Sequence, residues 1–220
     1  MIETIFVPRG AEENAVRAGL GRSGGSIRVI ATGIGERAAA RAAAAAIAGG
    51  SVGSVLVTGL CGLLSPAFAV GDALVYRDIR RADGEPLPLD ARLTKALASR
   101  IPDSQSGVRA VTSETVLVTA QAKAALAERY GAGAVDMESF AMVERLQQAG
   151  VSVAVMRIGS DASTDDLPAL DRALDGSGGV DPTALALAMV RRPLLGARLA
   201  LNGIRALAAL RRAIAAIAAG

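Results

Sequence analysis

Short β-branched runs alternate with alanine-rich helical stretches along most of the chain, and this alternation restricts the fold more than any other feature. The runs are TIFVP (4–8), IRVIAT (27–32), VLVT (55–58), DALVY (72–76) and VSVAVMRI (151–158). Most are bounded by Gly, Pro or Asp, as buried strands tend to be. Between them ERAAARAAAAAIAG, AQAKAALAERY and MESFAMVERLQQAG read as helices, the last two stopping at Gly131 and Gly150. Residues 38–48 are almost all alanine, yet they read as helix, because alanine has the best helix propensity and packs closely on a sheet. The pattern predicts an α/β fold with a central mixed, largely parallel sheet flanked by helices. With 220 residues, 51% of them hydrophobic, the chain can bury one sizeable core. LDGSGGVDP (174–182) reads as a hinge, so residues 1–180 are expected to form the α/β domain and 181–220 a basic Ala/Leu/Arg helical extension of it.

Composition then narrows the chemistry. There is no histidine and only one cysteine, Cys61. No disulfide framework, multi-cysteine metal site or Ser-His-Asp triad can be assembled, and neither metal nor cofactor is expected. Carboxylates, hydroxyls and backbone must do the work. Residues 181–220 carry six arginines against Asp181, a charge of +5, which leaves −2 for the first 180 residues out of the total of +3. The body therefore lacks a general basic surface, and three Phe with two Tyr offer little base stacking, so nucleic acid is not an expected partner. The opening residues lack the basic-then-apolar plan of a secretory signal, and the expected location is cytoplasmic.

Two glycine clusters follow strands. GIGERA places Gly33, Gly35 and Ala38 at the spacing of a dinucleotide fingerprint, but no carboxylate follows about twenty residues on to hold a ribose, so it reads as a tight strand-to-helix turn. In VTGLCGLLSPAFAVGDALVY, a buried strand runs into Gly59, Leu60, Cys61 and Gly62. Glycines at a strand's carboxyl end let backbone N–H groups approach a ligand, although ordinary turn chemistry explains them equally well. Ser160 and Asp161 end the last strand run, where they also read as caps of the following turn.

TGLCGLL, VGDALV, VDMES and MRIGSDAS, in this order, resemble the purine nucleoside phosphorylase and methylthioadenosine/S-adenosylhomocysteine nucleosidase superfamily. The resemblance spans roughly residues 4–165 and makes 1–180 a nucleoside phosphorylase-like domain. The VPRGAEENAV opening and the arginine-rich end resemble its hopanoid-associated branch. The resemblance implies hydrolytic cleavage of the N-glycosidic bond of a purine nucleoside, a 5′-substituted adenosine, by a cytoplasmic homo-oligomer. By the same resemblance Asp161 is the acid that protonates the purine, with Ser160 beside it and Arg157 supporting the strand end. Glu138 and Met137 hold the ribose, Val116 and Leu117 meet the base where the family often has an aromatic, and Glu12 or its neighbour Glu13 activates water. Asp136 lies outside the motif and reads as a helix cap or first-turn acid. Val57 stands where hexameric phosphorylases carry a phosphate-binding arginine, which favours water over phosphate; Arg9 is a substitute that keeps phosphorolysis open. A non-catalytic nucleotide-binding module is the remaining alternative. Cys61 has no His or Lys beside it in sequence and reads as a small buried residue rather than a nucleophile.

The C-terminal stretch admits two readings. Arg191, Arg198, Arg205 and Arg212 recur every seven residues, while Leu207, Leu210, Ile214 and Ile217 share another helical face, and Pro193 marks a break or a new start. The stretch is either an arginine face on a helix packed against its own domain or a partner subunit, or a basic amphipathic helix making peripheral contact with an anionic membrane. On the second reading, truncation after Asp181 should leave activity on water-soluble nucleosides largely intact.

Overall fold

The computed structural model describes residues 1–21, 26–50, 52–82, 84–166 and 193–219. The expected hinge at 174–182, the 180/181 boundary and Arg191 lie outside the described residues. The elements run β1 (Thr4–Pro8), α1 (Ala11–Leu20), β2 (Arg28–Thr32), α2 (Glu36–Ala48), β3 (Val55–Leu63), β4 (Ala73–Arg81), β5 (Leu87–Pro88), α3 (Ala91–Ala98), β6 (Gln105–Thr112), α4 (Ala120–Tyr130), β7 (Ala134–Asp136), α5 (Ser139–Gln148), β8 (Val153–Asp161) and α6 (Pro193–Ala219). All strands join one sheet of order β2-β1-β3-β7-β6-β4-β5, with β8 pairing both β3 and β4. Five of the eight strand pairs are parallel, so the sheet is mixed and largely parallel, as the alternation requires.

Strand alternation divides the core. Phe6 packs into the cluster formed with α2 and α5, whereas Ile5 and Val7 point to the opposite cluster with α1, α3 and α6. The three alanines that α2 turns inward, Ala39, Ala43 and Ala46, let that helix lie close on the sheet. Helix α6 is no detachable tail. It buries Ala206, Ala209, Leu210, Ala213, Ile214 and Ile217, and a Cβ on Gly19 of α1 would come within 2.6 Å of the Arg211 carbonyl. Burying each Leu or Ile is worth roughly 1.5–3 kcal/mol. Removal of everything after Asp181 would therefore open the core, contrary to the expectation that activity survives it.

Some elements escape the sequence patterns for physical reasons. Helix α1 starts after Gly10, which offers no side-chain cap. Strand β6 begins with polar residues and contains Gly107 at φ +75°, beside the place where its register with β4 shifts. Strand β7 has only three residues. Helix α3 does carry a signal, the Asp90 side chain accepting from Leu93 N at 2.8 Å.

Candidate active site

The carboxyl ends of β1, β3, β7 and β8 converge on a cavity of about 310 Å³. Its lining includes Glu12, Leu60, Cys61, Gly62, Val116, Leu117, Met137, Glu138, Arg157, Ser160 and Asp161, so residues taken from distant stretches of sequence do come together. Gly59 supports this wall from behind. It sits at φ +144°, and a Cβ there would collide with the Glu12 carboxylate and lie 2.7 Å from an Arg157 guanidinium nitrogen. Only glycine lets β3 pass between those two side chains.

Glu12 lies in the first turn of α1 and accepts from Leu60 N at 2.7 Å. Burial pushes its pKa up to about 7 against the lowering influence of Arg157 and the Leu60 amide. Glu13 instead pairs with Arg17 one helical turn away at 2.8 Å and is absent from the cavity lining, which distinguishes the two adjacent acids.

Arg157 is almost wholly buried, 1% exposed, and is fully engaged. It donates to Ser139 Oγ at 2.8 Å, to Glu138 Oε2 at 3.3 Å and to the Leu60 carbonyl at 3.3 Å, with Asp136 Oδ2 at 3.7 Å. Burial pulls its pKa down, but Asp136 and Glu138 outweigh that and raise it. Glu138 is itself raised by burial, against Arg157, and its Oε1 accepts from Gly35 N at 3.1 Å. Thus the GIGERA turn is structural, with Gly35 at φ +84°, but its amide also reaches the cavity wall. Asp136 acts as the expected cap, its Oδ1 accepting from Glu138 N at 3.2 Å and Ser139 N at 3.0 Å.

At the other end, Ser160 Oγ lies 2.8 Å from Asp161 Oδ1 and 3.1 Å from the Cys61 carbonyl. Asp161 Oδ2 accepts from Lys123, a cavity residue missed in the sequence. Lys123 sits in α4 with 1% exposure, and its ammonium also donates to the carbonyls of Ala162 at 2.8 Å and Asp165 at 3.3 Å. Its one available signal was a lysine amid the alanines of α4.

Two expectations change in detail, those on Val57 and Arg9, and the Cys61 reading stands. Val57 is buried in the core and does not line the cavity, so its identity says nothing directly about phosphate. Arg9 is exposed and also absent from the lining. Burial raises the Cys61 thiol well above its usual range, consistent with a packing role. Among the described residues no cluster of three or more His, Cys, Asp and Glu could hold a metal ion.

Sheet, layers and cavity together define an α/β protein with a ligand site at the strand ends. The phosphorylase superfamily profile matches residues 2–175, and the chain belongs to that superfamily of enzymes. No curated protein matches. Among solved structures it is similar to the 5′-methylthioadenosine/S-adenosylhomocysteine nucleosidase of Streptococcus pneumoniae with a transition-state inhibitor, at TM-score 0.72 and 14% identity over 99% of this chain and 100% of that one. The nucleosidase of the same name from Colwellia psychrerythraea, in complex with adenine, gives 0.67 and 19% over 94% and 96%. Helicobacter pylori futalosine hydrolase gives 0.66 and 16% over 91% and 96%. At these identities the likeness concerns the fold.

Proposed function

We infer that the chain hydrolyses the N-glycosidic bond of a purine nucleoside, a 5′-substituted adenosine, and releases adenine. The observation carrying this reading is the placement of Glu12 and Asp161 on one cavity. Glu12 bonds the amide of Leu60, and Asp161 lies against Gly62, two β3 residues further on, so both carboxylates line the one cavity. Hydrolysis of a glycosidic bond uses such a pair, one group for the leaving group and one for the attacking water. Glu12, with its pKa near 7, takes the proton from water at neutral pH. Asp161 delivers a proton to purine N7, steadied by Ser160. Met137 and Glu138 meet the ribose, and the carboxylate stabilises positive charge developing at the anomeric carbon. Val116 and Leu117 give the base an apolar seat without stacking.

Water is favoured over phosphate because the two cations among the described lining residues are already committed, Arg157 to Asp136 and Glu138, Lys123 to Asp161. Incubation with a nucleoside panel headed by 5′-methylthioadenosine, with and without phosphate, should yield free adenine in both arms. Absolute dependence on phosphate, with ribose 1-phosphate as product, would convert the assignment to phosphorolysis.

Peripheral membrane contact belongs to the same reading in a restricted form. Helix α6 exposes Leu201 and Ile204 beside Arg205, on a face the core does not use, and no described helix is long and apolar enough to cross a membrane. Leu201→Asp with Ile204→Asp should abolish flotation with anionic liposomes at low salt; wild-type protein that fails to float would refute the contact.

A further inference from the structure

Helix α4 buries a single residue, and that residue is the lysine. Burying an ammonium is costly unless it is fully paired, and Lys123 spends all three N–H groups inward, on Asp161 Oδ2 and on the carbonyls of Ala162 and Asp165. The turn it grips is held from two further sides. Asp166 Oδ1 accepts from Ala120 N at 2.7 Å at the start of α4, and Arg198 of α6 pairs with Asp165 at 2.6 Å. Lysine has donors only, so in the free site Asp161 Oδ2 is an acceptor and has no proton of its own to give along that contact.

We propose that Lys123 supplies the proton that Asp161 delivers to the departing purine. The inference rests on the hydrolytic reading. As the bond between the anomeric carbon and N9 breaks, its electron pair passes into the purine, the Lys123 ammonium gives a proton to the Asp161 carboxylate, and Asp161 passes a proton on to N7, which leaves a neutral amine and restores the carboxylate. Water bonds to the anomeric carbon and gives its proton to Glu12. At the end of the turnover Glu12 holds one proton more and Lys123 one fewer, and exchange with solvent through the open cavity resets both. Lys123 is thus a positioning residue that acts through Asp161, and proton transfer by a positioned side chain is within the usual reach of acid catalysis.

The test compares wild type, Lys123→Met and Lys123→Arg on two substrates sharing one 5′-substituted ribose, the adenine nucleoside and its p-nitrophenyl counterpart, whose leaving group departs as an anion and needs no acid. Methionine removes the charge. Arginine keeps the charge and the grip on residues 161–165 but does not release a proton at accessible pH. Both variants should lose about 10²-fold or more in kcat on the adenine nucleoside, keep kcat on the p-nitrophenyl riboside near wild type, and Lys123→Arg should melt close to wild type. Full activity of Lys123→Arg on the adenine nucleoside would reduce the lysine to a charge that positions Asp161 and overturn the relay. Equal losses on both substrates, or no loss on either, would overturn it too. Wild-type protein that cleaves neither substrate would defeat the hydrolytic reading itself and the relay with it, whereas wild-type cleavage with insensitive variants defeats the relay alone.

Discussion

Glu12 and Asp161 carry the same functional group on the same cavity, in opposite surroundings. Glu12 receives one backbone amide and is otherwise desolvated, which holds its pKa near 7. Asp161 sits against a buried ammonium and a hydroxyl. On the proposed hydrolytic reading, neighbours rather than residue type distribute the acid and base roles: the first carboxylate would take a proton from water, and the second would draw one from the ammonium beside it.

Removing the second carboxylate should have the largest effect. Asp161→Asn is expected to lower adenine release by roughly 10²–10⁴ with a smaller change in substrate binding, as single-turnover and steady-state kinetics would show; wild-type turnover on an unactivated purine would remove Asp161 from the mechanism. Glu12→Gln should cost about 10² in turnover and abolish the acidic limb of the pH profile. In wild type, kcat/KM should rise with pH through about 7, because only the ionised carboxylate accepts a proton.

The same carboxylate gives a stability signature of definite sign. Folded Glu12 holds its proton more tightly than the unfolded chain does, so its contribution to stability is intact below about 4.5 and is lost as pH rises to about 7. Glu12→Gln should therefore unfold at higher denaturant than wild type at pH 8, by up to about 3 kcal/mol, and almost equally at pH 4. Gly59→Ala attacks the wall behind Glu12 and Arg157 and should destabilise by about 1–3 kcal/mol, read by thermal melting. Least affected should be Cys61→Ala, which sits between the two ends and should change turnover little, because a buried thiol with a raised pKa is no nucleophile.

The two ends were also unequally legible in the sequence. Glu12, Met137, Glu138, Ser160 and Asp161 were legible because the short motifs that hold them resemble the superfamily's. The five apolar strand runs and three helical stretches were readable for a different reason: their periodicity is local. Lys123 was not, because its importance lies in an exposure of 1% and three acceptors contributed by residues 161–165, nearly forty positions away. Gly35 looked like turn chemistry alone, since nothing in GIGERA indicates that its amide points at Glu138. Strand β6 was hidden by polar residues and a bulge at Gly107, although it pairs on both sides. Val57 shows the opposite failure, a sequence position given a chemical meaning that its place in the core does not support.

The strand pairings also impose an order of assembly. Strands β3, β7, β6, β4 and β8 close into a ring through their mutual pairings, and β8 is the last of them to leave the ribosome. Until residues 153–161 arrive, β3 and β4 present unpaired hydrogen-bonding edges to each other and to any neighbouring chain. A nascent chain stalled before residue 153 would be at its most aggregation-prone, and closure of the ring, a contact between sequence-distant strands, should be a slow step of folding. Because Asp161 ends the closing strand, the cavity gains this carboxylate only when that step is complete.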